Sequence, residues 1–152
     1  MTVNKTNYYN WQKPTAKDKV AFRKASPNLV QIKDYLIKRW SGSNVGIFNR
    51  REIRGGGSPS SHSFGAALDW RYGTRARALA ACKFLVANSE ELGVQMVIDY
   101  VGASIWTPSA GWKKMTPNPK TGVGASWAMW LHVETTRTDW KNNKPVVDRI
   151  KA

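Results

Sequence analysis

The order of helix-like and strand-like segments is the feature that most constrains the fold of this chain. Two segments, Pro27–Trp40 and 75–92, have apolar residues at helical spacing, and each follows a residue suited to cap a helix. Short apolar runs that predict strands lie at 45–48, 65–72, 94–100, 103–106 and 127–135, and a short last helix is expected at 146–150. This order predicts an α+β fold, in which helices pack on a small, mostly antiparallel sheet.

The length and apolar content of the chain predict a single domain. With 152 residues, of which 41% are hydrophobic, the chain is long enough to bury a sizeable core. We expect one domain over residues 1–152, with an N-terminal extension (1–25) that wraps the surface, a core (26–136) and a loosely structured basic tail (137–152). The segment 112–124 is rich in proline and glycine and is expected to be a long loop.

The sequence predicts neither a transmembrane helix nor a Sec-type export signal. It has no apolar run of the ~18 residues that a transmembrane helix needs. The first residues lack the apolar stretch of a secretory signal, so we expect no such signal. Cys82, the one cysteine, excludes an internal disulfide and is expected to be a small buried apolar residue on a helix.

The net charge of +14 favours polyanionic partners. Nucleic acid, anionic lipid and the acidic polymers of a bacterial cell wall all qualify. The basic residues are spread along the whole chain, whereas a module that reads DNA sequence would concentrate them on a recognition element. We expect no specific nucleic-acid partner, although a cationic nucleic-acid-binding protein remains an alternative that explains the charge.

The chain has only two histidines, and both lie near a carboxylate. His62 and Asp69 are seven residues apart, which in a straight strand would direct them to opposite faces, but Gly65 between them permits a bend. His132 and Glu134 are two residues apart in a predicted strand and should share a face. Two histidines and one carboxylate suffice for a catalytic zinc ion. The spacing alone equally allows polar side chains that bond to their neighbours.

The segment 60–69 resembles a family signature. It reads Ser-x-His-x-x-Gly-x-Ala-x-Asp, which is similar to the signature of the zinc D-Ala-D-Ala carboxypeptidase and L-Ala-D-Glu endopeptidase family, a family that includes many bacteriophage endolysins. The resemblance extends over about residues 45–136. It implies the D-Ala-D-Ala carboxypeptidase/hedgehog-type peptidase fold, with Zn²⁺ held at the sheet by His62, Asp69 and His132.

The chain departs from this family at the residue expected to handle the proton. Members usually carry an acid three residues before the second zinc histidine, and here that residue is Met129. We expect Glu134 to replace it as general base, with Asp99 as a second candidate. Loss of a general base typically lowers the rate by ~10²–10⁴. Glu134 could instead orient a zinc histidine from behind.

The family also uses an arginine upstream of its first motif to bind a substrate carbonyl or carboxylate. Arg50, Arg51 and Arg54 lie in that region, and Arg54 is our candidate for the role. A guanidinium group suits either target, although a solvated surface arginine is the simpler alternative for each. Trp112 and Trp127 flank the expected loop and could line a substrate groove or pack in the core.

The resemblance implies a zinc-dependent peptidoglycan peptidase. We expect a monomeric hydrolase, of the phage endolysin kind, that cleaves an amide bond of the peptidoglycan stem peptide. Its positive charge would favour the anionic cell wall. It would remain in the host cytoplasm until it is released to the wall, or else be part of the virion. The alternative is a non-catalytic zinc-binding virion or cell-wall-binding protein of the same fold, because Met129 replaces the usual acid.

Overall fold

The computed structural model describes residues 7–48 and 60–150 of the chain. Within these ranges the helices are α1 (Ala16–Ala21), α2 (Pro27–Trp40), α3 (Arg75–Ala87), α4 (Ser89–Leu92) and α5 (Val146–Arg149). The strands are β1 (Ser43–Gly46), β2 (Ala67–Arg71), β3 (Val94–Asp99), β4 (Ser104–Thr107), β5 (Gly111–Lys114) and β6 (Trp130–Thr135).

The strands of the described part form one antiparallel sheet. Its order is β1-β2-β6-β3-β4-β5, and every neighbouring pair is antiparallel. The predicted α+β class is therefore confirmed. β6, near the end of the chain, lies between β2 and β3, so that residues far apart in sequence become direct neighbours.

Helix α2 has the boundaries that the sequence predicts. The Ser26 side chain accepts a hydrogen bond from the Leu29 N–H, and proline at the first helical position needs no such partner. Ile32 and Leu36 are buried with Leu29 on the inner face. The spacing of these apolar residues fixed which side of the helix packs on the sheet.

The prediction of one helix over 75–92 is wrong, because the helix is divided at Asn88. Its side-chain amide donates to the Phe84 carbonyl at 2.9 Å, and its backbone leaves the helical conformation. An asparagine that bonds to the preceding turn competes with continuation of the helix. The short helix α4 then ends at Gly93, which adopts a left-handed φ of 62°.

The core lies between the helices and one face of the sheet. Leu29 of α2 and Leu85 of α3 pack there with Leu68, Val97 and Leu131 of the sheet, all fully buried. Cys82 belongs to the same cluster, as expected, and burial raises the pKa of its thiol to about 12. It behaves as a small apolar residue.

A second, aromatic cluster joins the two ends of the chain. Trp11 is 1% exposed and packs with Phe64 and Trp140, and the Trp140 indole N–H donates to the Phe64 carbonyl at 2.8 Å. The expected extension and tail thus both contribute buried side chains to the domain. Truncating a buried tryptophan typically costs about 3–5 kcal/mol, so these segments matter for stability.

The expected loop over 112–124 is partly a strand. Gly111–Lys114 forms β5 at the edge of the sheet, and the prolines and Gly122 follow it. The described residues contain no helix long and apolar enough to cross a membrane.

Candidate metal centre

His62 is held in place by a tight turn before β2. The turn is a 3-10 helix, Ser61–Phe64, and the Ser60 side chain accepts from the His62 N–H at 3.2 Å. His62 Nδ1 lies 3.1 Å from the Ile47 carbonyl oxygen. Because a carbonyl can only accept, Nδ1 is the donor, and Nε2 faces Asp69, 3.2 Å from Oδ2.

Gly65 makes the bend that the His62–Asp69 spacing requires. Its φ is 63°, in the left-handed region that glycine adopts without strain. A Cβ at this position would lie 1.7 Å from the Lys24 carbonyl oxygen. The close approach fixes the turn against the segment that leads into α2, and the predicted bend at Gly65 is confirmed.

Asp69 and His132 face each other across β2 and β6. The two residues are directly paired in the register, and Asp69 Oδ1 lies 3.3 Å from His132 Nδ1. Three potential ligand atoms, one each from His62, Asp69 and His132, all lie within 4.8 Å of one another. Two imidazoles and one carboxylate are a donor set that zinc accepts, and three protein ligands leave a tetrahedral position open. The residues therefore fit a zinc ion.

The three side chains are strongly coupled electrostatically. Burial opposes the charge on Asp69, but hydrogen bonds from His132 and His62 hold the pKa of its carboxyl well below its usual range. Burial likewise opposes the charge on His132, while its contacts with Asp69 and Glu134 raise its pKa to about 9. Asp69 is thus kept ionised, whereas a metal ion bound to His132 would have to displace the proton that these contacts favour.

Glu134 shares a sheet face with His132, as predicted, and contacts its other ring nitrogen. Glu134 Oε2 lies 3.3 Å from His132 Nε2, so it approaches the ring from a different edge than Asp69 does. Glu134 Oε1 accepts a hydrogen bond from the Gln95 side chain at 2.8 Å. Both carboxylate oxygens are engaged, which is the arrangement typical of a group that orients a metal-binding histidine.

The cluster opens into a cavity of about 320 Å³. Polar lining comes from Gln12, Ser60, Ser61, Tyr100 and Thr121, and much of the apolar wall comes from Met96, Ile98, Ile105 and Trp130. Trp127 is 55% exposed and packs against Trp130, with ring centroids 5.8 Å apart. Trp127 is therefore outside the core, beside the Trp130 wall of this cavity.

The other sequence-predicted residues lie elsewhere. Asp99 is on the opposite face of the sheet, where both its oxygens pair with Arg75 at 2.8 and 2.9 Å, so it does not reach the cavity. Met129 packs against the main core and supplies nothing to the cavity. Trp112 is 44% exposed and borders a second cavity on the Asp99 side. The candidates Arg50, Arg51 and Arg54 lie outside the described residues.

Sequence reasoning missed Gln95. The register of β3 against β6 shifts between Val94 and Met96, and Gln95 is the residue between them. A glutamine among the apolar residues of 94–98 was the available signal, because an amide in a buried strand normally makes a specific hydrogen bond. Nothing in the sequence pattern indicates the shift itself.

Comparison with known proteins identifies a family for most of the chain. The sequence profile described as "VldE, C-terminal domain" matches residues 22–122, about two thirds of the chain. The match includes His62 and Asp69 and ends before His132. No curated protein and no solved structure matches the chain. The chain belongs to the family described as VldE, C-terminal domain.

Proposed function

We propose that the protein is a zinc-dependent peptidase that cleaves a stem-peptide amide bond of peptidoglycan. The observation that carries the proposal is the convergence of His62, Asp69 and His132 within 4.8 Å beside a cavity. The resemblance of segment 60–69 to the zinc carboxypeptidase and endopeptidase signature, with its D-Ala-D-Ala carboxypeptidase/hedgehog-type fold, supports the choice of metal and substrate.

The chain's own residues would supply the metal ligands, the groups that orient the two histidine rings, and an apolar cavity wall. His62, Asp69 and His132 would hold the ion, while the Ile47 carbonyl and Glu134 fix the two imidazole rings. When bound, zinc polarises a scissile carbonyl and lowers the pKa of a coordinated water toward ~7. The apolar wall of the cavity would exclude bulk water from one side of the peptide.

Proton transfer in this proposal depends on Glu134. Apart from Asp69, it is the one carboxylate among the described residues that lines the cavity. Glu134 would therefore take a proton from the attacking water and return it to the leaving amine. Its contact with His132 would have to loosen for that step.

The size and surface of the cavity suit an extended peptide beside a glycan. Exposed Trp127, packed on Trp130, offers an aromatic face of the kind that sugars and peptides pack against. The net charge of +14 would concentrate the protein at an anionic wall. We propose an endolysin role, with release from the host cytoplasm to the wall, or attachment to a virion.

A second candidate is a non-catalytic zinc-binding protein of the cell wall or virion. Two observations favour it: Met129 packs in the core where an acid is expected, and both oxygens of Glu134 are engaged. This candidate would bind zinc and peptidoglycan without releasing new amino groups.

The test measures zinc content and the release of amino groups from purified peptidoglycan. The variants are wild type, His62→Ala and Glu134→Gln, with Glu90→Gln, an exposed glutamate on α4, as the matched control. The peptidase proposal expects release by wild type and Glu90→Gln, and none by His62→Ala. With zinc in excess, so that the site stays filled, Glu134→Gln should lose about 10²–10⁴ in rate if Glu134 is the base.

Each result separates the candidates. Zinc binding by wild type without amino-group release would overturn the peptidase and favour the non-catalytic protein. Full activity of Glu134→Gln would remove Glu134 from proton transfer. Full activity of His62→Ala would sink the metal proposal itself.

A further inference from the structure

We propose that the N-terminal segment 8–12 forms part of the metal site and, through Gln95 and Glu134, helps to orient the His132 ring. The inference rests on the proposed zinc binding and adds to the ligand set a positioning residue, Gln95, and a link between the metal site and the N-terminal segment. Its basis is a continuous series of hydrogen bonds from the Tyr9 main chain, through the fully buried Gln95 side chain, to the His132 ring.

Gln95 forms the centre of this series. The Tyr9 N–H donates to Gln95 Oε1 at 2.9 Å, and Gln95 Nε2 donates to the Tyr9 carbonyl at 2.8 Å. The same Nε2 donates to Glu134 Oε1 at 2.8 Å, and Glu134 Oε2 lies 3.3 Å from His132 Nε2. The amide has two N–H groups and one oxygen, so these contacts use all of its donors.

The buried amide makes docking and ring orientation interdependent. Gln95 is fully buried, so losing Tyr9 would leave its oxygen and one N–H without a partner, away from water. A glutamine freed from Tyr9 would turn to satisfy these groups and release Glu134. Glu134 would then hold the His132 ring less firmly.

The rest of the segment contacts two of the three elements that carry the ligands, the Ser61–Phe64 turn and β6. The Trp11 indole N–H donates to the Thr135 carbonyl at 3.0 Å, next to Glu134 on β6. The Trp11 ring stacks on Phe64, at the end of the turn that bears His62, with centroids 5.8 Å apart. Gln12 lines the metal cavity itself. The segment therefore forms one side of the site.

Two consequences follow from this coupling. Breaking the amide contacts should lower zinc affinity by about 10–100-fold, the usual effect of losing a partner that orients a metal ligand. Because coupling between two sites is reciprocal, bound zinc should favour docking of the segment on Gln95 by the same factor. The Tyr9 amide hydrogen, which donates to Gln95, reports this directly.

The experiment uses the full chain. Zinc dissociation constants are measured by competition with a chromophoric chelator for wild type, Gln95→Leu and the control Gln31→Leu, which removes a glutamine on α2 that bonds to Asn143. Hydrogen exchange of the Tyr9 amide is followed by NMR in wild type, with and without zinc. We expect weaker binding in Gln95→Leu alone, and slower Tyr9 exchange when zinc is present.

The outcomes distinguish this inference from the proposed function. If wild type binds no zinc, the proposed function and the inference both fail. If wild type and Gln95→Leu bind zinc equally well, the inference fails and the proposed function stands. If Gln95→Leu does not fold, the wild-type exchange decides: a Tyr9 amide whose exchange rate is independent of zinc overturns the coupling.

Discussion

Asp69 and His132 are paired directly across β2 and β6, with Asp69 Oδ1 3.3 Å from His132 Nδ1. This pair brings together residues 63 positions apart in sequence. The turn that ends at Gly65 adds His62 to the other carboxylate oxygen at 3.2 Å. The site therefore depends on two things: the β2–β6 register and the bend before β2.

The first prediction concerns the bend. Gly65→Ala should destabilise the protein by clearly more than the roughly 1–2 kcal/mol that a left-handed conformation costs an alanine. The reason is that the new Cβ would meet the Lys24 carbonyl at 1.7 Å, a backbone atom that cannot move alone. Urea unfolding followed by tryptophan fluorescence measures the change.

Gly111→Ala is the matched control for the bend. Gly111 also has a positive φ, 67°, but nothing lies within 4 Å of a Cβ built there. Its substitution should cost only the conformational term, about 1–2 kcal/mol. Equal losses of stability in the two variants would show that the contact with Lys24 is unimportant.

The second prediction concerns the pH dependence of stability. Asp18 is fully buried, and burial opposes its charge, but hydrogen bonds from Tyr9, Thr15 and Arg137 hold the pKa of its carboxyl below its ordinary value. A carboxyl with a lowered folded pKa stabilises the protein above its unfolded pKa, near about 4, and loses that contribution as the pH falls through the folded value.

Asp18→Asn should therefore lower the free energy of unfolding at neutral pH by about 1–3 kcal/mol, because it disrupts the capping box of α1 and leaves polar groups unpaired. The difference from wild type should shrink below about pH 4. Chemical denaturation over a pH series checks this. Asp34→Asn, at an exposed site on α2, serves as control. A difference that is independent of pH would contradict the assignment.

The third prediction tests the two faces of the sheet. Arg75→Gln removes a bidentate partner of Asp99 and should destabilise the protein by about 1 kcal/mol, at the low end of such effects because Arg75 is 36% exposed. Zinc affinity should not change, since the pair lies opposite the cavity. Chelator competition and urea unfolding of one preparation give both values. A marked loss of zinc affinity would contradict the prediction and show that the Arg75–Asp99 pair affects the site on the other face of the sheet.

Local sequence signals were sufficient to predict the elements whose ends and faces are set by residues close in sequence. Ser26, Pro27 and the apolar spacing fixed α2, and the Gly65 bend followed from the seven-residue interval between His62 and Asp69. The shared face of His132 and Glu134 followed from strand alternation. In each case the deciding interaction is between residues close in sequence.

Long-range interactions were not predictable in the same way. Trp11 is buried because it packs against Phe64 and Trp140, which belong to distant parts of the chain. Gln95 reaches Glu134 through a register shift that depends on how β3 meets β6. Asp99 was misplaced as a base candidate because the face on which it lies depends on that register, and Arg75 comes from a separate helix.

The central claim is that His62, Asp69 and His132 form one zinc site. The most direct measurement is the zinc content, by mass spectrometry, of the untagged full chain after equilibration with zinc and removal of free metal. The account predicts one zinc ion per wild-type chain, near-complete loss in His132→Ala, and full retention in Arg75→Gln. A wild-type chain without zinc, or a His132→Ala chain that retains it, would contradict the account.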